Sequence, residues 1–385
     1  MTQRRIQISQ PSMGEEEWHA VREPLVSGWL TQGPKVAAFE KAFAERHNVA
    51  HAMAVTSCTT ALHLALDAIG IGPGDEVIVP SFTWVATANA VLYCGANPVL
   101  CDVDRDTYNI DVPSMVSKIT ARTRAVIAVH LFGLCADVDS IRGALPPGIK
   151  IVEDAACAAG ASYKGKWAGG LGDAACFSFH PRKSITTGEG GMLTTNDAKL
   201  SAKADILRNH GASISEEQRH RGPQPYLLAA FDELGFNYRM TDIQAAIGLV
   251  QLGKLDKFVD ERDVRARQYR EVLADLPWLR HPQISNFGRH AWQAYVTYVD
   301  PQLAPAPRNE IMGRLHAMGI ATRPGTHSIH MLGYYQRRFG FKSDDLPGAR
   351  DCERNTMAIP MHNRMSDDDY AYVIDCIRRI DAGKA

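Results

Sequence analysis

The stretch ACFSFHPRKSITTGEGGML (residues 175–193) sets a lysine, Lys183, between an apolar run and a glycine-rich bend. Upstream by 29 residues, IVEDAACAAG ends another apolar run on two carboxylates, Glu153 and Asp154. Taken singly, a lysine is usually a solvated surface cation, and an acidic pair before a helix is usually a cap. Taken together at the ends of neighbouring strands, they are a different proposition. A buried carboxylate there needs a cationic partner. An amine in a closed site has its pKa lowered and condenses with an aldehyde.

A carboxylate facing a pyridine nitrogen keeps that ring protonated and electron-withdrawing. An amine and a ring-facing carboxylate are the two main contributions a protein makes to pyridoxal phosphate (PLP) chemistry. Such chemistry also needs a phosphate cradle, and AVTSCTTALHLAL offers one at Ser57, Cys58 and Thr59, where a strand passes into an amphipathic helix. Free amides and hydroxyls at a helix start bind phosphate, although the same residues serve equally as an ordinary N-cap. Ser178 and Asn237 are further candidate phosphate donors. Trp84, in PSFTWVATANAV, lies at a strand-to-helix junction, where its ring either stacks on a planar cofactor or packs into the core.

The elements that must position these groups are visible in the pattern of apolar residues. HAMAV, DEVIVP, PVLCDVD, RAVIAVH, IKIVED, AACFSF and GMLTT alternate with helical stretches from about residue 50 onward. Such alternation predicts an α/β fold with a mostly parallel central sheet flanked by helices, its ligand chemistry at the carboxyl ends of the strands. Residues 241–275 carry apolar positions at helical spacing and predict one long helix or two nearly continuous ones. Beyond them come a strand (AYVTYVD), a helix (RNEIMGRLHAMGI) with Gly319 near its end, and a closing helix (MSDDDYAYVIDCIRRIDAG) with acids in its first turn. The expected division is a large domain over residues 1–255, with the N-terminal segment, and a smaller C-terminal α+β domain over 256–385.

Composition excludes several classes of function. A chain of 385 residues, 45% apolar and 22% charged, with a net charge of −1, has no global attraction for nucleic acid or an anionic membrane. No apolar stretch approaches the ~20 residues a membrane helix requires. The opening MTQRRIQISQPSM lacks the apolar core of a secretory signal, so a cytoplasmic location is expected. Eight cysteines are scattered without C-x-x-C pairs, which predicts neither disulfides nor a metal site.

The block EDAACAAGASYKGKWAGGLGDAACFSFHPRKSITTGEGGML resembles the core of the DegT/DnrJ/EryC/StrS sugar aminotransferases, within the fold-type I, aspartate-aminotransferase-like PLP enzymes. SCTTALHLAL, AVHLFG, GFNYRMTDIQAAIGLVQL and the opening GWLTQGPKVAAFEKAFA extend the similarity over essentially the whole chain. The resemblance implies that Lys183 is the lysine joined to the PLP aldehyde and the proton shuttle, and that Asp154 partners the pyridine nitrogen. It implies that Trp84 stacks on the ring and that Ser57, Cys58, Thr59 and Ser178 hold the phosphate. Asn237 would reach that phosphate from a neighbouring subunit, so a homodimer with a shared active site is expected. His180, His327 and His330 lie where the family approaches its sugar.

Two positions depart from the family pattern. Cys58 stands where Gly or Ala is usual, adding bulk beside the phosphate. Cys157 stands at a cofactor-contact position where Gln or His is usual, which removes the residue types that hydrogen-bond the phenolic oxygen. In relatives that dehydrate deoxysugars, histidine replaces the lysine, so Lys183 favours transamination. The expected reaction moves an amino group from L-glutamate or L-glutamine to a nucleotide-linked ketosugar, a 4-keto-6-deoxyhexose, with a keto-inositol as the alternative acceptor. An NAD-linked dehydrogenase is disfavoured because the G-x-G-x-x-A of Gly170, Gly172 and Ala175 precedes an apolar run instead of following one. A non-catalytic binding module of the same fold is disfavoured by the joint presence of lysine, aspartate and cradle.

Overall fold

The computed structural model describes residues 4–214, 226, 228–284 and 287–383. Its central sheet has seven strands: β1 (His51–Val55), β2 (Glu76–Pro80), β3 (Asn97–Cys101), β4 (Thr123–Val129), β5 (Lys150–Asp154), β8 (Ala174–Ser178) and β9 (Gly191–Thr195), in the order β1-β9-β8-β5-β4-β2-β3. A short hairpin, β6 (Ser162–Tyr163) with β7 (Lys166–Trp167), lies outside it. Every pairing from β8 through β3 is parallel, whereas β9 runs antiparallel to both β8 and β1. Strands such as β2 are buried at every position, because helices cover both faces of the sheet; this is why they read as continuous apolar runs.

Alternation along β8 decides what faces where. Phe177 and Phe179 turn toward the Pro34–His47 helix, with ring centroids 4.9 Å from Phe43 and 5.3 Å from Phe39 respectively. Each such buried ring contributes roughly 1.5–3 kcal/mol relative to exposure. Ser178, between them, therefore points to the opposite face. That face is covered by the Cys58–Ile69 helix, which buries Ala61, Leu62, Leu64, Ala65 and Leu66. The helix starts where it does because the Ser57 hydroxyl accepts from the Thr60 amide at 3.1 Å while the Thr60 hydroxyl accepts from the Ser57 amide at 3.0 Å. It stops at Gly70, in the left-handed region at φ 92°.

The long helix is continuous from Asp242 to Val272, with Thr241 and Gln244 forming its capping box. After it comes a second sheet of four strands, β10 (Leu279–Arg280), β11 (Tyr295–Val299), β12 (Arg323–Pro324) and β13 (Thr356–Ile359), ordered β10-β11-β13-β12. Trp278, Tyr295, Tyr370, Val373 and Ile377 share a core of their own there. The closing helix, Asp367–Asp381, is capped by Ser366 and carries three aspartates in its first turn, as the sequence predicts. No helix among the described residues is long and apolar enough to cross a membrane.

Candidate active site

Asp154 closes β5 at the carboxyl edge of the large sheet and is 6% exposed. Its carboxylate accepts from the Thr87 hydroxyl at 2.7 Å and the Ala156 amide at 3.2 Å, and the Cys58 thiol lies 4.0 Å away. No ion pair among the described residues includes it. The cationic partner expected of a buried carboxylate is thus not supplied as a salt bridge, and acceptor capacity remains open.

Lys183 sits in the connection from β8 to β9, just past β8's carboxyl end. The turn closes when the Lys183 amide donates to the His180 carbonyl at 2.8 Å. The side chain folds back so that Nζ donates to Cys157 Sγ at 3.2 Å. The sequence leads one to expect a lowered lysine pKa, and the structure corrects this. Burial does pull it down, but Cys157, which accepts its hydrogen bond, and the Asp154 carboxylate favour the charged form, and the net direction is upward. Burial, reinforced by Asp154, pushes the Cys58 thiol well above its ordinary range, so it stays protonated.

Glu153, one residue from Asp154, faces the other side of the sheet, as strand alternation requires. It is fully buried and saturated: His130 Nε2 at 2.9 Å, and the amides of Gly169 at 2.9 Å, Leu171 at 2.8 Å and Gly172 at 2.7 Å all donate to it. The Ala136 amide donates to His130 Nδ1 at 3.1 Å, which leaves the ring hydrogen on Nε2, aimed at Glu153. The two carboxylates therefore do not share one site.

The phosphate-binding candidates come together. Ser178 pairs with Gly191 in the β8–β9 register, and Gly191 lies against the Ser57–Cys58 turn. A Cβ built on Gly191 would stand 2.6 Å from the Cys58 nitrogen, so only glycine leaves this turn open. As the first two residues of their helix, Cys58 and Thr59 have amides with no intrahelical acceptor. Cys58 lies between this turn and Asp154, its thiol 4.0 Å from Asp154 Oδ1 and donating to the Cys176 carbonyl at 3.4 Å.

The aromatic and histidine candidates divide. Trp84 is 60% exposed, which removes the core-packing alternative, and its ring tilts against His327 with centroids 5.8 Å apart. His327 is exposed. His330 is fully buried, with Nδ1 paired to Ser81 Oγ at 2.8 Å and Nε2 to the Ser343 carbonyl at 3.2 Å, so it has neither open surface nor a free ring nitrogen. His180 is half-buried and shapes the lysine turn, its Nδ1 accepting from the Arg182 amide at 3.2 Å, while burial lowers its pKa. Asn237 is exposed beside Tyr238, whose carbonyl accepts from the Thr56 amide at 3.0 Å. Alternation sends Phe236 and Tyr238 inward against His63 and Asn237 outward.

Sequence reasoning did not single out Thr87 or Gly191. Thr87 is a fully buried hydroxyl in WVATANAV, one of two polar residues, with Asn89, in an otherwise apolar run, and that pair is the only local signal. Gly191 is the last glycine of GEGG, and nothing local separates it from its neighbours.

Residues 11–378 match the model of the DegT/DnrJ/EryC1/StrS aminotransferase family. The spore coat polysaccharide biosynthesis protein SpsC of Bacillus subtilis is 41% identical over 380 residues, covering 98% of this chain and 97% of that one. The GDP-perosamine synthase of Caulobacter vibrioides is 41% identical over 379 residues, covering 98% of each. Among solved structures, Spr1654 of Streptococcus pneumoniae in its PLP form superposes with a TM-score of 0.91 at 28% identity, over 99% of this chain and 100% of that one. The mainly parallel sheet flanked by helices is the fold-type I architecture of these PLP-dependent aminotransferases.

Proposed function

Because this chain belongs to the DegT/DnrJ/EryC1/StrS aminotransferase family and is an aminotransferase, we propose that it moves an amino group from L-glutamate or L-glutamine to a nucleotide-linked ketosugar. The acceptor we assign is a 4-keto-6-deoxyhexose. PLP is the cofactor, the enzyme is a homodimer, and it works in the cytoplasm on its eight free thiols' preference for a reducing compartment. A name such as GDP-perosamine synthase on a relative 41% identical supports the nucleotide-linked substrate. The large domain, residues 1–255, would carry the cofactor, and 256–385 the smaller unit, with the Asp242–Val272 helix running through both.

One observation carries this reading. Asp154 is a buried carboxylate with spare acceptor capacity and no ion pair among the described residues, joined through Cys58 to an open turn of amides, with Lys183 at the same sheet edge. This donor set fits PLP. When bound, the cofactor supplies an aldehyde and an electron-withdrawing ring. Asp154 would hold the proton at the ring nitrogen. Thr87, donating to Oδ2, fixes the carboxylate's orientation and leaves lone pairs directed at the ring. The Cys58 and Thr59 amides, with the Ser57 and Ser178 hydroxyls, would bind the phosphate, with Asn237 of the second subunit added to them. Lys183 Nζ would secure the aldehyde and carry the proton at the carbon that gains or loses the amine. Trp84 would cover the ring, and His180 and His327 would flank the sugar. His330, walled in, would brace the His327 loop.

The test is a panel of keto-sugar nucleotides and keto-inositols with L-glutamate, read as amine transfer. Transfer to at least one keto-sugar nucleotide is expected, and transfer confined to keto-inositols would move the substrate. Lys183→Ala should lose turnover by about 10³-fold or more while still binding PLP. Full activity in that variant would overturn the site.

A further inference from the structure

We propose that Cys157 and Lys183 form a reversible oxidative cross-link, a sulfur–nitrogen bond made at the expense of a hydroperoxide. The pair stands apart from every other thiol in the chain. Of eight cysteines, six are buried, and only Cys94 and Cys157 are half-buried. Cys94 directs its sulfur at the His63 carbonyl, 3.9 Å away. Cys157 has a primary amine at 3.2 Å, well within the distance at which a sulfur-centred electrophile is captured. Being half-buried and not fully enclosed, it is open to a small oxidant.

The chemistry balances in two steps. Sulfur of Cys157 attacks one oxygen of hydrogen peroxide and the O–O bond breaks, giving a sulfenic acid and one water; sulfur is oxidised and peroxide reduced. The Lys183 ammonium releases a proton to solvent, and its lone pair attacks the sulfenyl sulfur. The S–O bond breaks, and the hydroxide leaves as water with a second proton from nitrogen. The sum is one thiol, one amine and one peroxide giving one S–N bond and two waters. A thiol reductant reverses it: two thiols return Cys157 and Lys183 and leave a disulfide behind. Because Lys183 must first shed a proton that its surroundings retain, the second step quickens as pH rises.

The consequence for activity and the use of L-glutamate to free the amine rest on the proposed function; the bond itself rests on the 3.2 Å contact. If Lys183 is the working amine, closing this bond switches the enzyme off until a reductant reopens it. Cys157, at a position where the resembled family carries Gln or His, would make that sensitivity a property of this chain.

The experiment treats the purified protein with hydrogen peroxide, as isolated and after addition of L-glutamate, which under the proposed chemistry leaves the lysine amine free. Unreduced digests are then read by mass spectrometry. A species joining the Cys157 and Lys183 peptides, lighter than their sum by two hydrogens, is expected in the L-glutamate arm, absent from Cys157→Ser, and lost on treatment with a thiol. Activity should fall in proportion to the cross-linked fraction and return with the thiol. Cys157 found as sulfinic acid beside unmodified Lys183, a disulfide from Cys157 to Cys58, or no change in either arm would overturn the proposal. A cross-link formed in a protein that transfers no amine would leave this inference standing and sink the function instead.

Discussion

Glu153 and Asp154 are consecutive acidic residues on one buried strand, yet the two sides of the sheet treat them differently. Glu153 has four N–H donors within 2.9 Å, three of them backbone amides of the 169–172 loop. Asp154 has one hydroxyl and one amide, with a weakly polar thiol at 4.0 Å. A buried carboxylate satisfied wholly by its own chain is a structural fastener, because removing any partner leaves the others unpaired. A buried carboxylate left short of partners costs free energy in the empty fold, and that cost is recovered when a ligand brings the missing donor. Under-satisfaction, more than burial or charge, separates the Asp154 face, the candidate site, from the Glu153 face.

The sharpest way to break this comparison is to neutralise each acid in turn. Asp154→Asn keeps the shape but replaces one acceptor oxygen with a donor, which would remove the group proposed to hold the ring-nitrogen proton. Turnover should fall on the order of 10³-fold, about 4 kcal/mol in barrier, while the melting temperature barely moves. Single-turnover rates and calorimetry on the same sample check both halves. An unchanged rate would remove Asp154 from the chemistry.

Glu153→Gln should show the reverse. The new amide group turns donors toward donors on one side of the clamp, losing two charge-assisted bonds at a cost of about 3 kcal/mol in folding stability. Chemical denaturation should reveal that loss, and the single-turnover rate of the folded fraction should stay near wild type. A rate loss equal to that of Asp154→Asn would erase the distinction between the two faces.

How much of this was legible in sequence follows from where the controlling contacts lie. The strands were readable because a parallel sheet buried on both faces must spell each strand as an apolar run, and β2 is buried throughout. The Asp242–Val272 helix was readable from its period, whereas its continuity and the capping pair Thr241 and Gln244 come from the structure. Lys183 and Asp154 stood out as candidates because Asp154 closes β5 and Lys183 follows the carboxyl end of β8, the edge where ligand chemistry is expected. The division of labour between Glu153 and Asp154 was not, since it depends on which loop lies across each face, and residues 169–172 are set there by tertiary packing. His330 stood among the sugar candidates because its short segment carries two histidines. Pairing of Phe82 with Ser328, and the Ile329 amide's 2.7 Å bond to the Ser81 carbonyl, draw that end of the segment inside. The Cys157–Lys183 contact joins residues 26 apart across two strand ends, a proximity that no local pattern encodes.

Acid supplies the smallest test, because it acts on neither carboxylate face directly. His47, stacked on Phe43 at 4.1 Å, and His290, stacked on Trp292 at 3.8 Å, are both pushed down to about 3, in each case chiefly by burial. In the unfolded chain each titrates near its ordinary 6.5. Between those values the unfolded state holds protons that the folded state does not, so stability rises with pH through this window and falls as pH drops below 6.5. Going from pH 6.5 to 5 should cost about 2 kcal/mol for each histidine. Melting curves of wild type should slope downward below pH 6.5, and His47→Gln should flatten that slope by His47's own share, about 2 kcal/mol between pH 6.5 and 5. Glu153→Gln and Asp154→Asn, whose side chains touch neither histidine, should keep all of it. A flat curve between pH 7 and 5 would deny the buried, uncharged histidines, and a slope that vanished in Glu153→Gln would place the acid sensitivity in the structural clamp instead.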